Sequence, residues 1–358
     1  MKNFELFESQ NRIKKIENLG DPLKNLQELV DFEIFREELE SMSRSGTEKG
    51  GRPPYDPVMM FKIIVLQKLY NLSDRQTEYQ INDRFTFQRF LGVGEHEKLP
   101  DEKTIWVYRE RLIREGSDRI LFSKLSYWIQ RSGFELKAGA IVDATIISVP
   151  IQRNTEEENE AIKQDQIPKA WKEDGRKLRQ KDTDARWTKK RGKSYFGYKN
   201  HIMIDSTHKI IRDYTTTSAN VHDSQVCIKL IETMRKGELI FGDSAYPIPT
   251  VLLEGKKKGI LTLFCEKGKR NQPLSEDSKI LNKHLSKVRS RVEHIFADIK
   301  SFGGKRIRCR GLARAELQIF LSNFVYNTRR FIFYQGRVMP DSFSRCEKYS
   351  KNGYLTFF

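Results

Sequence analysis

Cysteine is scarce in this sequence, and its placement argues against two kinds of architecture. The chain has four cysteines among 358 residues, Cys227, Cys265, Cys309 and Cys346, and no two of them have C-x-x-C spacing. Single scattered cysteines argue against a disulfide framework and against a cysteine-ligated zinc site. They fit a protein that works in a reducing compartment.

Long apolar runs are also missing. No stretch of about 18 apolar residues exists, so we expect no membrane-spanning helix. The first ten residues, MKNFELFESQ, contain acids where a secretory signal requires an apolar run. We therefore expect no secretory signal.

Acidic residues are too few to balance the basic ones. The net charge is +17, and it is unevenly distributed. Residues 1–48 carry 7 Lys and Arg against 11 Asp and Glu, which is −4, so residues 49–358 carry +21. Such a surplus favours a polyanionic partner, most simply nucleic acid, although a generally basic protein is the alternative.

The first third of the chain has the apolar periodicity of helices. Helical patterns cover 21–45, 57–72, 73–92, 100–116 and 118–132. Pro57 suits a first helical turn, Ser73 with Gln76 has capping-box spacing, and Asp101 is a candidate cap. Short helices with Arg and Lys on their polar faces fit a helix-turn-helix-like DNA-binding domain, and they fit a purely structural bundle equally well.

Strand patterns begin at residue 138. Predicted strands cover 138–150, 196–205, 208–219, 238–246 and 260–267, and predicted helices cover 221–237, 250–259, 275–301 and 312–333. This order predicts an α/β domain in which helices pack on a mixed sheet. The segment 151–195 has 22 charged residues in 45, of which 13 are basic. We expect a surface insertion, mobile without a partner and helical in part where Thr155 and Glu158 have capping-box spacing.

Two aspartates interrupt or end these strands. Asp143 lies within an apolar strand, and Asp243 follows another. A buried carboxylate is costly unless it is paired or binds a cation. Phosphodiester cleavage by two divalent metals requires three or four oxygen ligands, which these residues could supply. Each could instead be structural, Asp143 in an ion pair and Asp243 in a turn.

A third acid, Glu293, lies in the predicted helix RSRVEHIFADIK. Arg289 precedes it by four residues and Lys300 follows it by seven, so a continuous helix would place all three on one side. Glu293 could be a metal ligand or a solvent-exposed partner of Arg289. Asp205, His222 and His294 are weaker candidates, which we expect to be mainly structural, and Asp223 could either cap a helix or touch the site.

These motifs together resemble a known family. IVDAT, GDSAY about 100 residues later, and R-x₃-E-x₆-K a further 50 residues on resemble the catalytic core of DDE transposases of bacterial insertion sequences, and the insertion-sequence-five group in particular. GRPPYDPVMMFKIIVLQKLYNLSDRQTEYQINDRF resembles that group's N-terminal region, and TTTSANVHDSQ resembles its middle. A related signature has tyrosine where this chain has Ser286.

The resemblance implies a ribonuclease-H-like fold and metal-dependent DNA cleavage and strand transfer. The three acids of the family correspond to Asp143, Asp243 and Glu293, which would bind two Mg²⁺ ions, with Mn²⁺ as a possible substitute. Arg289 and Lys300 match the family's cations. The other predicted DNA contacts come from two basic segments: Lys189, Lys190, Arg191, Lys193, Lys305, Arg306, Arg308 and Arg310.

From the resemblance and the residues together we expect four regions. They are an acidic helical segment at 1–48, a helical DNA-binding domain at 49–135, a catalytic domain at 136–335 that contains the insertion, and a tail at 336–358. The expected partners are terminal inverted repeats and target DNA, bound by a homodimer on the nucleoid of the bacterial cytoplasm. A DNA-binding regulator without catalysis, or a nuclease that only hydrolyses, are the alternatives.

Overall fold

A computed structural model describes residues 8–43, 54–94, 97–134, 139–268 and 273–335. The predicted tail at 336–358 lies outside these residues. The chain divides into two compact units, one formed by Met1–Arg111 with Val325–Phe358 and the other by Leu112–Phe324. No helix in the described ranges has the length and apolar character needed to cross a membrane.

The first unit is helical. Its elements are α1 (Glu8–Asn18), α2 (Pro22–Leu29), a 3-10 helix (Phe32–Phe35), α3 (Arg36–Ser43), α4 (Pro57–Leu69), α5 (Asp74–Asp83), α6 (Phe85–Leu91) and most of α7 (Glu102–Arg114). The rings of Phe32, Phe35, Phe61 and Phe90 pack against one another, and all four are buried. Burial of each such side chain stabilises the fold by about 1.5–3 kcal/mol.

Two predicted helices of this unit are broken in the structure. The prediction of a single helix over 21–45 is wrong, because Asp31 accepts a hydrogen bond from Glu33 N and starts a new element there. The prediction of one helix over 73–92 is wrong at Arg84, whose backbone is extended and whose guanidinium lies over the rings of Tyr70 and Phe87. These contacts come from tertiary packing, which periodicity does not reveal. The Ser73–Gln76 capping box is confirmed.

The second unit contains the sheet. Its strands are β1 (Ala140–Ser148), β2 (Arg186–Lys190), β3 (Lys193–Asp205), β4 (Ile211–Ser218), β5 (Leu239–Gly242) and β6 (Leu261–Phe264). Its helices are α8 (Asp118–Arg131), α9 (Glu156–Lys163), α10 (Lys169–Glu173), α11 (Gly175–Gln180), α12 (Asp223–Glu232), α13 (Pro249–Lys258), α14 (Glu276–Arg289), α15 (Arg291–Ser301) and much of α16 (Leu312–Tyr334).

The sheet is mixed, as predicted, and β1 lies at its centre. β1 pairs with β3 in the antiparallel direction and with β5 in the parallel direction, and β5 pairs with β6 in parallel. β3 also pairs with β2 and with β4, both antiparallel. At Gly197 β3 approaches β1 so closely that an added Cβ would lie 2.2 Å from Ile147 O. Only glycine fits this position, and it holds the end of β1 against β3.

Helices cover both faces of the sheet. Ala140, Val142, Met203 and Ile240 point to the face that α12 and α13 cover, and they form a buried core with the apolar residues of those helices. The side chains that alternate with them point to the other face. There Asn200 of β3 exchanges hydrogen bonds with Asn323 of α16. Asp143 belongs to this second face.

The charged insertion contains more secondary structure than predicted. It contains α9, α10, α11 and β2, built around Trp171, whose side chain is fully buried. Glu158 is also buried and its carboxylate binds Lys177 Nζ at 2.6 Å. Burial acts to raise the pKa of Glu158, but the hydrogen bonds from Lys177 and the Thr155 backbone, with the positive charge of Lys177, hold it at about 2. The predicted partial helicity and the Thr155–Glu158 capping box are confirmed. The paired charges add a small core that composition does not show, and mobility without a partner stays a prediction.

Candidate active site

The two aspartates singled out in the sequence belong to neighbouring strands, Asp143 within β1 and Asp243 directly after β5. In the β1–β5 pair, Ala140 lies beside Ile240 and Ile141 beside Phe241. β5 ends at Gly242, so Asp143 and Asp243 each lie two residues beyond the last paired residues, Ile141 and Phe241. Neighbouring strands are about 4.8 Å apart. The negative charge of Asp243 also contributes to raising the pKa of Asp143, as expected for close carboxylates.

Asp143 is a mostly buried carboxylate with two partners. Its Oδ1 accepts a hydrogen bond from Ala144 N at 2.8 Å, and its Oδ2 accepts one from Arg289 Nη1 at 3.2 Å. Burial raises its pKa to about 6, although the Ala144 bond and the charge of Arg289 act in the opposite direction. Its anionic form is therefore under-stabilised, and another cation nearby would favour ionisation.

Arg289 links Asp143 to the third predicted acid. Its Nη1 contacts Asp143, and its Nη2 lies 3.9 Å from Glu293 Oε1. The Glu293 side chain is 67% exposed, in the first turn of α15. The guanidinium thus stands between a buried and an exposed carboxylate. The carboxylates of Asp143 and Glu293 therefore both lie near one guanidinium, that of Arg289.

The predicted continuous helix over 275–301 is wrong. α14 ends at Arg289 and α15 starts at Arg291, so Arg289 and Glu293 belong to different helices. Ser290 Oγ donates to Lys287 O at 2.8 Å, a side-chain bond to the backbone that competes with regular helix. The apolar stripe of Val292, Phe296 and Ile299 is confirmed as buried.

The chemistry of the three carboxylates fits a hard divalent cation, although they are not arranged as a complete metal site. Asp143, Asp243 and Glu293 offer carboxylate oxygens, which Mg²⁺ prefers. Asp143 is desolvated and lies beside a second carboxylate, and Arg289 is the cation that contacts it. Within the described part of the chain, no three His, Cys, Asp or Glu residues are grouped closely enough to hold a metal ion.

Three of the predicted DNA-contacting lysines come together near Asp143. Partial burial, and then the positive charges of Lys305 and Lys190, lower the pKa of Lys300. The charge of Lys190 also acts on Asp143. These lysines come from β2, α15 and the segment after α15, so the fold brings together residues more than 100 positions apart.

A short backbone pairing fixes the position of Lys305. Ser148, the last residue of β1, donates to Lys305 O at 3.2 Å and accepts from Ile307 N at 3.0 Å. The tight turn before it depends on Gly304, because a Cβ there would lie 2.3 Å from Ile299 Cγ2 and 2.7 Å from Ile299 O. The turn thus holds a lysine beside the strand that carries Asp143.

The remaining predicted DNA contacts lie on the same two segments. Lys189 is paired with Ser194 in the β2–β3 hairpin, and Arg191 has a φ of 51° in its turn. The exposed basic side chains of these segments are Lys189, Arg191, Lys193, Arg306, Arg308 and Arg310. The structure gives them exposure and positive charge, and their contact with DNA remains a prediction.

The weaker candidates have structural partners. Asp205 accepts hydrogen bonds from Thr207 N and His208 N, which closes the turn between β3 and β4. His222 is the N-cap of α12 and contacts Ser224. His294 is exposed on α15. The structural interpretation of Asp205 and His222 fits these contacts.

Sequence reasoning did not single out two residues that the fold brings to this region. Tyr246 is buried, and burial followed by the charges of Asp143, Asp223 and Asp243 raises its pKa. Lys199 donates to Asp223 Oδ1 at 2.8 Å at the start of α12. The motif GDSAY contains Tyr246 three residues after Asp243, which was the available signal. Nothing in the sequence linked Lys199 to Asp223.

Comparison with known proteins is consistent with this arrangement. Residues 135–328 match the family described as "Transposase DDE domain", and residues 10–111 match "Transposase domain (DUF772)". A cryo-EM structure of a piggyBac transposase synaptic complex with hairpin DNA is similar with a TM-score of 0.45 and 9% identity, over 94% of this chain and 83% of that one. A TM-score this low does not establish a common fold.

The match to the DDE domain covers more than half of the chain, and the second transposase match covers most of the helical region before it. This protein therefore belongs to the DDE transposases of insertion-sequence type, enzymes that cleave and transpose DNA.

Proposed function

We propose that this transposase binds the terminal inverted repeats of an insertion sequence of the insertion-sequence-five group and joins the cleaved ends to target DNA. Asp143, Asp243 and Glu293 are the catalytic carboxylates in this proposal. The observation that carries it is that Asp143 and Asp243 each lie two residues beyond the last paired residues of two neighbouring strands and interact through their charges. The contact of Arg289 with both Asp143 and Glu293 supports including the third acid.

A ribonuclease-H-like sheet is part of the proposal. The strand order β4-β3-β1-β5-β6, with β3 antiparallel to its neighbours and β1, β5 and β6 parallel, supports it. In such a sheet the catalytic acids project near the ends of central parallel strands. Asp143 in β1 and Asp243 directly after β5 occupy such positions.

The reaction has two steps. Water attacks the phosphodiester at the transposon end, the bond to the 3′ oxygen breaks, and a 3′-OH is released. This hydroxyl then attacks a target phosphodiester in line and displaces its leaving oxygen. The chemistry that two Mg²⁺ ions, or Mn²⁺ in their place, would supply is activation of the attacking oxygen and neutralisation of phosphate charge.

The protein's own residues would hold and orient the substrate. Asp143, Asp243 and Glu293 would hold the ions, and Arg289 would then be released from the carboxylates to contact a DNA phosphate. Lys190, Lys300 and Lys305 surround the site with positive charge. Phosphate contacts of this kind position the DNA and carry no sequence information.

The partners follow from the reaction. Two transposon ends must be brought together, so we propose a homodimer on DNA, associated with the nucleoid. The helical region at 49–135 would recognise the repeat, and the insertion at 151–195 would add phosphate contacts. The proposal makes 136–335 the catalytic domain and 1–48 an acidic helical segment.

An assay that scores cleavage and joining separately tests this function. The substrate is a labelled duplex carrying the inverted repeat that flanks the coding sequence, incubated with unlabelled plasmid and Mg²⁺. A transposase yields nicked ends and joined products. Cleavage without joining would indicate a nuclease, and binding without either product would indicate a regulator.

A further inference from the structure

An arginine-lined cavity lies in the second unit, away from the carboxylates. Its volume is about 680 Å³, which falls within the range of ligand sites. It lies between α8, the start of β4 and the connection from α12 to β5. Four arginines line it: Arg119, Arg131, Arg212 and Arg235.

The cavity has an excess of positive charge. Asp213 and Glu238 are the carboxylates in its lining, against the four guanidinium groups. Arg119 Nη1 binds Asp213 at 2.9 Å, and Arg212 Nη2 binds Glu238 at 2.9 Å. Arg131 and Arg235 form no ion pair with any carboxylate in the described residues. Two positive charges therefore face this space without a counter-charge.

Two polar groups in the cavity wall also have no hydrogen-bond partner in the described part of the protein. Arg212 Nη1 and Ser126 Oγ are both buried and unpaired. The Arg212 side chain is only 10% exposed, although its Nη2 binds Glu238. Buried donors of this kind are normally satisfied, so an acceptor is missing. A ligand rich in acceptor oxygens would supply it.

Resting on the function proposed above, we propose that this cavity binds a backbone phosphate of a second DNA segment during transposition. Phosphate oxygens accept several hydrogen bonds at once, and arginine is the side chain best suited to them. Tyr127, which lines the cavity, is 61% exposed as a residue, and the Arg131 guanidinium lies 5.7 Å from the centroid of its ring. That pair offers a flat surface against which a sugar or base can lie.

The cavity is distinct from the candidate active site. Glu238 precedes β5 and Asp243 follows it, so they lie at opposite ends of that strand. Five residues of strand span about 16 Å. A phosphate in the cavity therefore cannot be the one that reacts. The site would hold DNA that the carboxylates do not cut.

Salt-dependent DNA binding tests the proposal in the full-length protein. The test variant is Arg131→Gln with Arg235→Gln, because neither arginine has an ion-pair partner whose loss would disturb the fold. The control is Lys256→Gln with Lys283→Gln, two exposed lysines on α13 and α14 outside the cavity. Fluorescence anisotropy with a labelled duplex at several salt concentrations gives the slope of log affinity against log salt. Thermal melts confirm that each variant is folded.

We expect the cavity variant to lower the slope by about one unit, since one neutralised phosphate contributes about 0.9. The lysine control should leave the slope nearly unchanged. Arg131→Lys with Arg235→Lys, which keeps both charges, should restore most of the slope. A cavity variant whose slope falls no further than the control's would overturn the proposal.

A second measurement separates a DNA phosphate from a free phosphate compound. Inorganic phosphate is titrated while the melting temperature of wild type and cavity variant is recorded. A phosphate-dependent stabilisation that the variant loses, together with an unchanged DNA slope, would assign the cavity to a free phosphate compound and overturn the DNA assignment. Loss of the DNA slope in the variant supports the proposal.

Discussion

At the scale of single residues, Asp143 has a carboxylate whose ionisation the metal-free fold disfavours. Its pKa is raised to about 6, mainly by burial. Between pH 4 and 6 the folded state then binds more protons than the unfolded state, so folding stability falls as pH rises through this window. The full effect, roughly 3 kcal/mol, is present above pH 6.

We therefore predict that Asp143→Asn stabilises the metal-free protein above pH 6 while abolishing cleavage. Urea unfolding in EDTA, measured from pH 4 to pH 7, should show wild type losing stability relative to the variant by about 1–3 kcal/mol across that range. Parallel pH profiles for the two proteins would contradict the prediction and show that Asp143 ionises without penalty.

The positive charge of Arg289 partly offsets the unfavourable ionisation of the buried Asp143 carboxylate. Removal of its side chain should leave Asp143 beside Asp243 without a guanidinium, so we predict that metal-free Arg289→Ala melts several degrees below wild type. Mg²⁺ should raise its melting temperature by more than it raises that of wild type. Arg179→Ala, an exposed arginine of α11, is the control. Equal responses to Mg²⁺ in both variants would show that Arg289 and the metal do not share a site.

Lys300 offers a prediction with two readouts of opposite sign. Its pKa is lowered by partial burial and by Lys305 and Lys190, so its charge is unfavourable without a polyanion. Lys300→Ala should slightly raise the melting temperature of the free protein and lower the salt slope of DNA binding by about one unit. An unchanged slope would indicate that Lys300 is a solvated residue on the helix surface that does not contact DNA.

At the scale of elements, the turn after α15 connects packing to the candidate site. We predict that Gly304→Ala destabilises the protein by about 1–3 kcal/mol and weakens DNA binding, because its Cβ would meet Ile299 and displace the segment that contains Lys305. Gly175→Ala, at the start of α11, is the control, since a Cβ there meets nothing within 4 Å. Urea unfolding and anisotropy measure both effects. Equal stability of the two variants would contradict the account of this turn.

The elements also show which parts of the fold can be predicted from sequence patterns. The strands that carry Asp143 and Asp243 were predicted because apolar runs mark buried strands and an acid within them stands out. The break at Ser290 was missed, since a serine bonding back to Lys287 O leaves no trace in periodicity. The hairpin strand β2 was not predicted, because its lysine and arginine residues hide the alternation of apolar and polar side chains. The secondary structure around Trp171 was not predicted, because composition gives the number of charged residues and not the ion pairs that they form.

At the scale of the whole molecule, the net charge and the chain topology each account for a different feature. The net charge of +17 predicts a polyanionic partner without locating it. The topology brings Lys190, Lys300 and Lys305 together near the strand of Asp143, and we propose that part of the partner binds there. The arginine cavity could not be predicted, because α8, β4 and the β5 entry are far apart in sequence. Its four arginines become neighbours only in the folded chain.

The most direct test of the central claim, that Asp143, Asp243 and Glu293 hold the catalytic ions, is a change of metal preference. Each acid is replaced in turn by cysteine, and cleavage of the labelled transposon end is measured in Mg²⁺ and in Mn²⁺. A thiolate is a poor ligand for Mg²⁺ and a better one for Mn²⁺. We predict that all three variants are inactive in Mg²⁺ and recover part of their cleavage in Mn²⁺, while Asp277→Cys on α14 cleaves in both. A variant of the three that cleaves in Mg²⁺ at the wild-type rate would remove that residue from the site and contradict the account.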